Sequence, residues 1–262
     1  ATASKRVSAL LAGVVSKLSL LVILRLLVML FPHPDNYQVL LVLGVLGVVT
    51  GELAAWRSLD LSRMLAYSSI AQLGMVFIAF SIPGEAGIVA GLAIALHHMI
   101  TKPGLFLLAH RWGGAISGLA GVAARAPLAA AIFVLLALSA IGVPPLPGFW
   151  AKLLLLMPLA ELSNSWMLAG LLAVLFSVVM EVGYMFRVVS LMYQKQSAKG
   201  NQAPHLVANV TTAGLMAVTL LVAVIMLPEI GMQLQQMAVQ LANPSHYINT
   251  VDPVLLSGRG GV

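Results

Sequence analysis

Long apolar stretches follow one another along most of the chain, separated by short polar or proline-rich breaks. A helix needs about 20 mostly apolar residues, with a range of roughly 17–25, to cross the hydrocarbon core of a bilayer. The pattern predicts spans at 7–31, 39–56, 62–82, 87–110, 128–143, 148–162, 166–193 and 207–227. The breaks carry turn chemistry: Phe31-Pro-His-Pro-Asp-Asn36, Pro83-Gly-Glu85, and the polar run 194–204 with Lys195 and Lys199. The fifth and sixth stretches are short, and between them lies Gly142-Val-Pro-Pro-Leu-Pro-Gly148. Prolines remove N–H donors and clash with a preceding helical turn. The freed carbonyls need partners inside protein or in a wet cavity. Pro144, Pro145, Pro147 and Gly148 therefore mark an interrupted helix. The two pieces are expected to be separate crossings, which gives about eight in all; one broken crossing, which gives seven, is the alternative.

After Pro228 the pattern changes. Ile230, Leu234, Met237 and Leu241 share one helical face, with Gln233, Gln235, Gln236 and Gln240 elsewhere. This predicts an amphipathic helix lying at the membrane interface, so the chain divides into a transmembrane module over 1–228 and an interfacial helix and tail over 229–262. The expected class is an all-α polytopic membrane protein with broken helices. The chain opens Ala1-Thr-Ala-Ser-Lys-Arg6 with no signal peptide and no initiator methionine, as in a processed chain, a split-gene product or part of a longer protein.

Composition agrees with lipid as the solvent. Hydrophobic residues are 60% of the 262 and charged residues only 8%, against about 25% charged in an ordinary soluble domain. The absence of cysteine excludes a disulfide framework, a thiolate metal site and a cysteine-held iron–sulfur cluster. The net charge of +6 comes from basic residues spread through apolar sequence, not from a patch that fits nucleic acid. Alternation over eight crossings puts Lys5, Arg6, Arg57, Arg63, Arg111, Arg125 and Arg259 on one side and Lys195 and Lys199 on the other. The positive-inside rule then places both termini in the cytoplasm.

The informative charges are those inside the spans, where each costs about 2.5–3.5 kcal/mol on insertion scales. Lys17 is central in the first span, too far from either end to snorkel. Arg25, Glu52 and Arg187 are near enough to span ends for their charged tips to reach the headgroups. Lys102, Lys152 and Glu181 complete the set, with Glu181 suited to a static ion pair or to transport. His98 and Lys102 are four positions apart and share a helix face. Both are titratable and repel each other when both are charged, as a proton carrier requires. The alternative for His97 and His98 is hydrogen bonding to neighbouring helices. Pro103 favours a kink beside Lys102. There is no phosphate loop, zinc motif or nucleophile elbow, and the adjacent histidines lack the spacing of a helical metal site. No catalytic residue, metal or cofactor is expected.

Four motifs resemble one family. They are Ser8-Ala-Leu-Leu-Ala-Gly-Val-Val-Ser-Lys17 with Arg25, Asp60-Leu-Ser-Arg-Met-Leu-Ala-Tyr-Ser-Ser69 with Gln72-Leu-Gly74, His97-His-Met-Ile-Thr-Lys102, and Gly142-Val-Pro-Pro-Leu-Pro-Gly-Phe-Trp-Ala-Lys152. Together they resemble the C-terminal half, helices 7–14, of the antiporter-like membrane subunits. These occur in respiratory NADH:quinone oxidoreductase, membrane-bound hydrogenases and multisubunit Mrp-type cation/proton antiporters. The form of the histidine and proline motifs, and the ending Ala238-Val-Gln-Leu-Ala-Asn-Pro-Ser-His-Tyr-Ile248, look most like the D-type member of the Mrp antiporters.

The resemblance implies a proton relay through Lys17, His98, Lys102 and Lys152. Glu52, His97, Glu181 and Arg25 are further candidates for relay or ion pairing. It implies a Na+/proton antiporter subunit of the bacterial inner membrane, working with other membrane subunits and with a chain or segment that supplies the family's first six helices. The same module inside a redox-driven complex, or a transport-inactive scaffold, are the alternatives. Family topology also implies termini facing away from the cytoplasm, opposite to the count of basic residues. Ser62 stands where the family often has lysine, and Glu181 is not part of its pattern.

Overall fold

In hydrocarbon a backbone N–H or C=O finds no water, so an apolar stretch must satisfy its own polar groups by coiling. The computed structural model describes residues 19–20, 22–23, 34–112, 114–162, 164–195 and 207–242. The helices are α1 (Pro34–Arg57), α2 (Leu61–Phe80), α3 (Glu85–Arg111), a 3-10 turn (Ile116–Leu119), and α4 (Val122–Arg125). They continue with α5 (Pro127–Ile141), α6 (Pro147–Glu161), α7 (Ser165–Met192), α8 (Val207–Ile225) and α9 (Leu227–Ala242). Lys17, Arg25 and nearly all of the first expected span lie outside the described residues.

Local chemistry sets the ends. Asp60 caps α2 by accepting from Arg63 N at 2.9 Å, and Asn164 caps α7 by accepting from Met167 N at 2.8 Å. Pro127 and Pro147 open α5 and α6 at positions whose N–H has no helical partner. Gly142 closes α5 in the left-handed conformation (φ 93°) that glycine adopts without steric cost. α3 continues through Pro103 as a single helix.

α1 and α2 form the tightest seam. A Cβ on Gly44 would meet Gly74 O at 2.7 Å, one on Gly51 would meet Ala71 N at 2.7 Å, and one on Gly74 would meet Gly44 O at 2.6 Å. Without a hydrophobic force between helices in lipid, such stripes of small residues let backbones approach and gain dispersion contact.

The buried side chains fall into two apolar clusters, one towards each end of the bundle. The first takes Leu40–Val48 of α1, Met75–Phe80 of α2, Ile88–Ile94 of α3, Ala151–Leu159 of α6, Met167–Val174 of α7, and Leu234 and Ala238 of α9. The second takes Ala55, Leu61–Leu65, Leu105–Ala109, Ala129–Ala140 of α5, Tyr184–Met192 of α7 and Ala213–Leu220 of α8.

This sharing decides the path of the chain. α5 belongs to one half and α6 to the other. Each has 15 residues, about 22 Å at 1.5 Å per residue, too short for a core of about 30 Å. The two pieces together are long enough for one crossing broken at Gly142–Leu146, in place of the two separate crossings expected.

That shift corrects the sidedness expected from eight crossings. The C-terminal end of α7, with Lys195, joins the end that holds Arg57, Arg63, Arg111 and Arg125. The backbone ties that end together: Leu61 N donates to Gly114 O at 2.6 Å, and Ile116 N to Leu59 O at 3.0 Å. The opposite end holds Asp35, Glu85, Glu161 and Glu229. At that acidic end α9 turns by 86° from α8 and lies against α3, with Gln235 Nε2 donating to Glu85 Oε2 at 2.7 Å. Leu234 and Ala238 are its buried face; Met237, expected on that face, is exposed.

Candidate functional site

Between the two apolar clusters lies a layer of buried polar side chains. Glu52 of α1, Ser68 and Gln72 of α2, His97, His98, Thr101 and Lys102 of α3, Ser139 of α5, Lys152 of α6, and Ser177 and Glu181 of α7 are all buried. A polar group withdrawn from water costs free energy unless it is hydrogen-bonded, and a charge costs more unless it is paired. The layer meets these demands in part with its own members: Lys152 pairs with Glu181, while Glu52 Oε2 and Glu181 Oε1 take no hydrogen bond among the described residues.

Lys152 is the clearest case. Its Nζ lies 2.8 Å from Glu181 Oε2 and donates at 2.8 Å to each of Ala140 O and Ile141 O. That uses all three donors of the ammonium. The two carbonyls end α5, where no helical N–H follows to bond them, and a cation there also suits the helix dipole. The partner expected for the freed carbonyls is thus Lys152 itself. Glu181 Oε2 also accepts from Gln72 Nε2 at 3.2 Å.

The break owes its closeness to Gly148. A Cβ there would collide with the carbonyl oxygen of Ser139 and meet the ring of His97 at 2.9 Å. His97 Nε2 lies 2.9 Å from Ser139 Oγ and 3.0 Å from Thr101 Oγ1, and His97 interacts electrostatically with both Lys102 and Lys152. The histidine facing the break is therefore His97; His98, named first from its spacing to Lys102, is buried one turn before that lysine. An apolar cavity of about 250 Å³ reaches His97 from the acidic half, walled by Trp150, Leu154, Leu220 and Leu234 among others.

Lys102 Nζ donates to Ser68 Oγ at 2.5 Å, and the Tyr184 hydroxyl donates to the same oxygen at 2.9 Å. Lys102 also interacts electrostatically with Glu52 and Glu181. Glu52 does not reach a headgroup: it is fully buried and accepts from Ser177 Oγ at 2.5 Å. Arg187 donates to Trp56 O at 3.1 Å and Ser58 O at 3.0 Å, so its guanidinium caps α1.

The layer also contains uncharged polar residues that do not stand out in the sequence as charges do: Ser68, Gln72, Ser177 and Tyr184. Their signal is register. Ser68 and Gln72 are one turn apart on α2, and Ser177, Glu181 and Tyr184 fall at i, i+4 and i+7 on α7. A polar stripe on an otherwise apolar span points into the bundle.

A family model described as "NADH:quinone oxidoreductase/Mrp antiporter, TM" matches residues 1–181. NADH-quinone oxidoreductase subunit N of Desulforudis audaxviator (strain MP104C) is 33% identical over 201 residues, covering 72% of this chain and 39% of that protein. The NADH-quinone oxidoreductase subunit N of Coxiella burnetii (strain RSA 493 / Nine Mile phase I) is 35% identical over 179 residues, covering 65% and 36%. Among solved structures, a chain of the Mrp complex from Dietzia sp. DQ12-45-1b superposes with a TM-score of 0.85 at 22% identity, over 94% of this chain and 55% of that one. A chain of an archaeal membrane-bound sulfane sulfur reductase gives 0.83 at 26% identity, over 94% and 51%. The chain thus spans between 36% and 55% of the length of these proteins.

Proposed function

The chain belongs to the NADH:quinone oxidoreductase/Mrp antiporter transmembrane family, and on that premise we propose that it moves protons along its buried polar layer as a subunit of a multisubunit Na+/proton antiporter. The observation that carries this reading is the layer itself. Lys102, Lys152, Glu52 and Glu181 sit at mid-height, two of each sign, with Lys152 and Glu181 paired and Lys102 and Glu52 bonded to serine hydroxyls, closed off by apolar clusters on both sides.

In this mechanism the layer is neutral when all four groups are ionised. Adding or removing one proton leaves an uncompensated charge in a medium that screens poorly, so each site responds to its neighbours. A proton leaving Lys152 frees Glu181 from its ion pair and strengthens its pull on Lys102. His97 and His98 lie on the path between the two lysines. By resemblance to the family Lys17, outside the described residues, belongs to the same relay, and another segment or chain supplies the rest of the family's helices. Other membrane subunits of the complex are its partners, and its place is the bacterial cell membrane.

A second reading has a specific observation in its favour. The curated relatives are NADH-quinone oxidoreductase subunits, and the same layer would serve a complex in which electron transfer on other chains drives the proton movement. Co-purification separates the two: iron–sulfur or flavin subunits select the redox-driven complex, and their absence with Na+-dependent proton movement in vesicles selects the antiporter. In the assembled complex, Lys102→Ala and Lys152→Ala are each expected to abolish coupled transport. Normal transport by either would sink the relay.

A further inference from the structure

Beside Lys102, away from the Lys152–Glu181 pair, stand the hydroxyls of Ser68 and Tyr184. Ser68 Oγ on α2 receives both the Lys102 ammonium and the Tyr184 hydroxyl, at 2.5 and 2.9 Å. The fully buried Tyr184 also interacts with the Glu52 carboxylate. Ser177 holds Glu52 Oε1, while Glu52 Oε2 is buried and takes no hydrogen bond among the described residues. Lysine, serine, tyrosine and carboxylate therefore stand in sequence on α3, α2, α7 and α1. A phenylalanine would fill the ring's place in the apolar cluster equally well, so the hydroxyl is the part of Tyr184 that packing does not account for.

We propose that Ser68 and Tyr184 form a hydroxyl relay carrying protons between Lys102 and Glu52, which makes Glu52 the end of a branch separate from the Lys152 line. This rests on the proton-moving reading above. The step balances. Lys102 gives one N–H proton to Ser68 Oγ; the original Ser68 proton passes to the Tyr184 oxygen; the original Tyr184 proton passes to Glu52 Oε2. An ammonium and a carboxylate become an amine and a carboxylic acid, and each hydroxyl ends with one proton. Before transfer, the Tyr184 O–H turns from Ser68 towards Glu52 and the Ser68 O–H turns towards Tyr184, both rotations about single bonds. The net charge of the layer stays the same throughout. Lys152 and Glu181, the other charged groups facing this site, remain paired.

The test uses the complete complex in vesicles. Tyr184→Phe and Ser68→Ala each keep the packing and cut the relay, so each is expected to slow proton movement at least tenfold with assembly unchanged. Because both cut one wire, the double variant is expected to be no slower than the slower single variant. Infrared difference spectra between resting and transporting complex should contain a carboxylic-acid band that Glu52→Gln removes, and Tyr184→Phe should remove it too. A hydroxyl that only held helices together would leave that band in place. Wild-type transport in Tyr184→Phe, losses that multiply in the double variant, or a band that survives Tyr184→Phe overturns the relay. Wild-type transport in Lys102→Ala overturns the parent reading instead.

Discussion

The charges of this chain divide by what their donors and acceptors touch. Arg187 is placed by sequence near enough to a span end for its tip to reach the headgroups, yet it bonds the backbone at the end of α1. Arg187→Ala is expected to lower stability by about 2 kcal/mol, the scale of hydrogen bonds to a charged group, while transport per assembled complex stays close to wild type. Lys152 is both structural and chemical, because the same ammonium closes α5 and neutralises Glu181. Lys152→Met leaves Glu181 buried without its counter-ion, a loss of about 3–5 kcal/mol by comparison with other broken buried pairs. The double variant Lys152→Met/Glu181→Gln should recover most of that stability in a thermal melt and remain inactive in transport, which separates the two roles. Glu52, Lys102, Lys152 and Glu181 were legible in sequence because an ionisable group is conspicuous in apolar surroundings. Ser68, Gln72, Ser177 and Tyr184 were not, because hydroxyls and amides are common in membrane helices and only their register singles them out.

Elements were legible to the extent that local chemistry defines them. Apolar length gave α1, α2, α3 and α7, and the proline run gave the break between α5 and α6. How closely helices approach depends on small residues whose partners are distant in sequence. Gly74 is one such position: a side chain there meets the backbone of Gly44 and Val48, neither of which can move aside without separating α1 from α2. Gly74→Leu is expected to abolish assembly, as read by recovery of monodisperse protein in detergent. Gly231→Ala, on α9 with nothing near its Cβ, should leave that recovery unchanged. The bend between α8 and α9 was foreshadowed by Pro228, but its 86° angle is set by packing of Leu234 and Ala238 against the rest of the bundle.

At the scale of the whole molecule, the broken crossing separates the charges by end. Arg57, Arg63, Arg111, Arg125 and Lys195 share one end with Asp60, and Asp35, Glu85, Glu161 and Glu229 occupy the other. On the positive-inside rule we propose that the basic end is cytoplasmic, with α9 on the far side. Cysteines placed at Arg125 and Lys195 should then react with an impermeant thiol reagent from the cytoplasmic face, and one at Glu161 from the opposite face; labelling of Lys195 and Glu161 from one face would refute this path. By itself the sequence determined the solvent, the helices and the charged residues that lipid would otherwise exclude, because those follow from the hydrocarbon's thickness and low polarity. The tertiary structure decided which charges are partners, that two short helices make one crossing, and that His97 rather than His98 faces the break. Those outcomes depend on contacts between helices far apart in sequence, and no local pattern of residues encodes a distance between two helices.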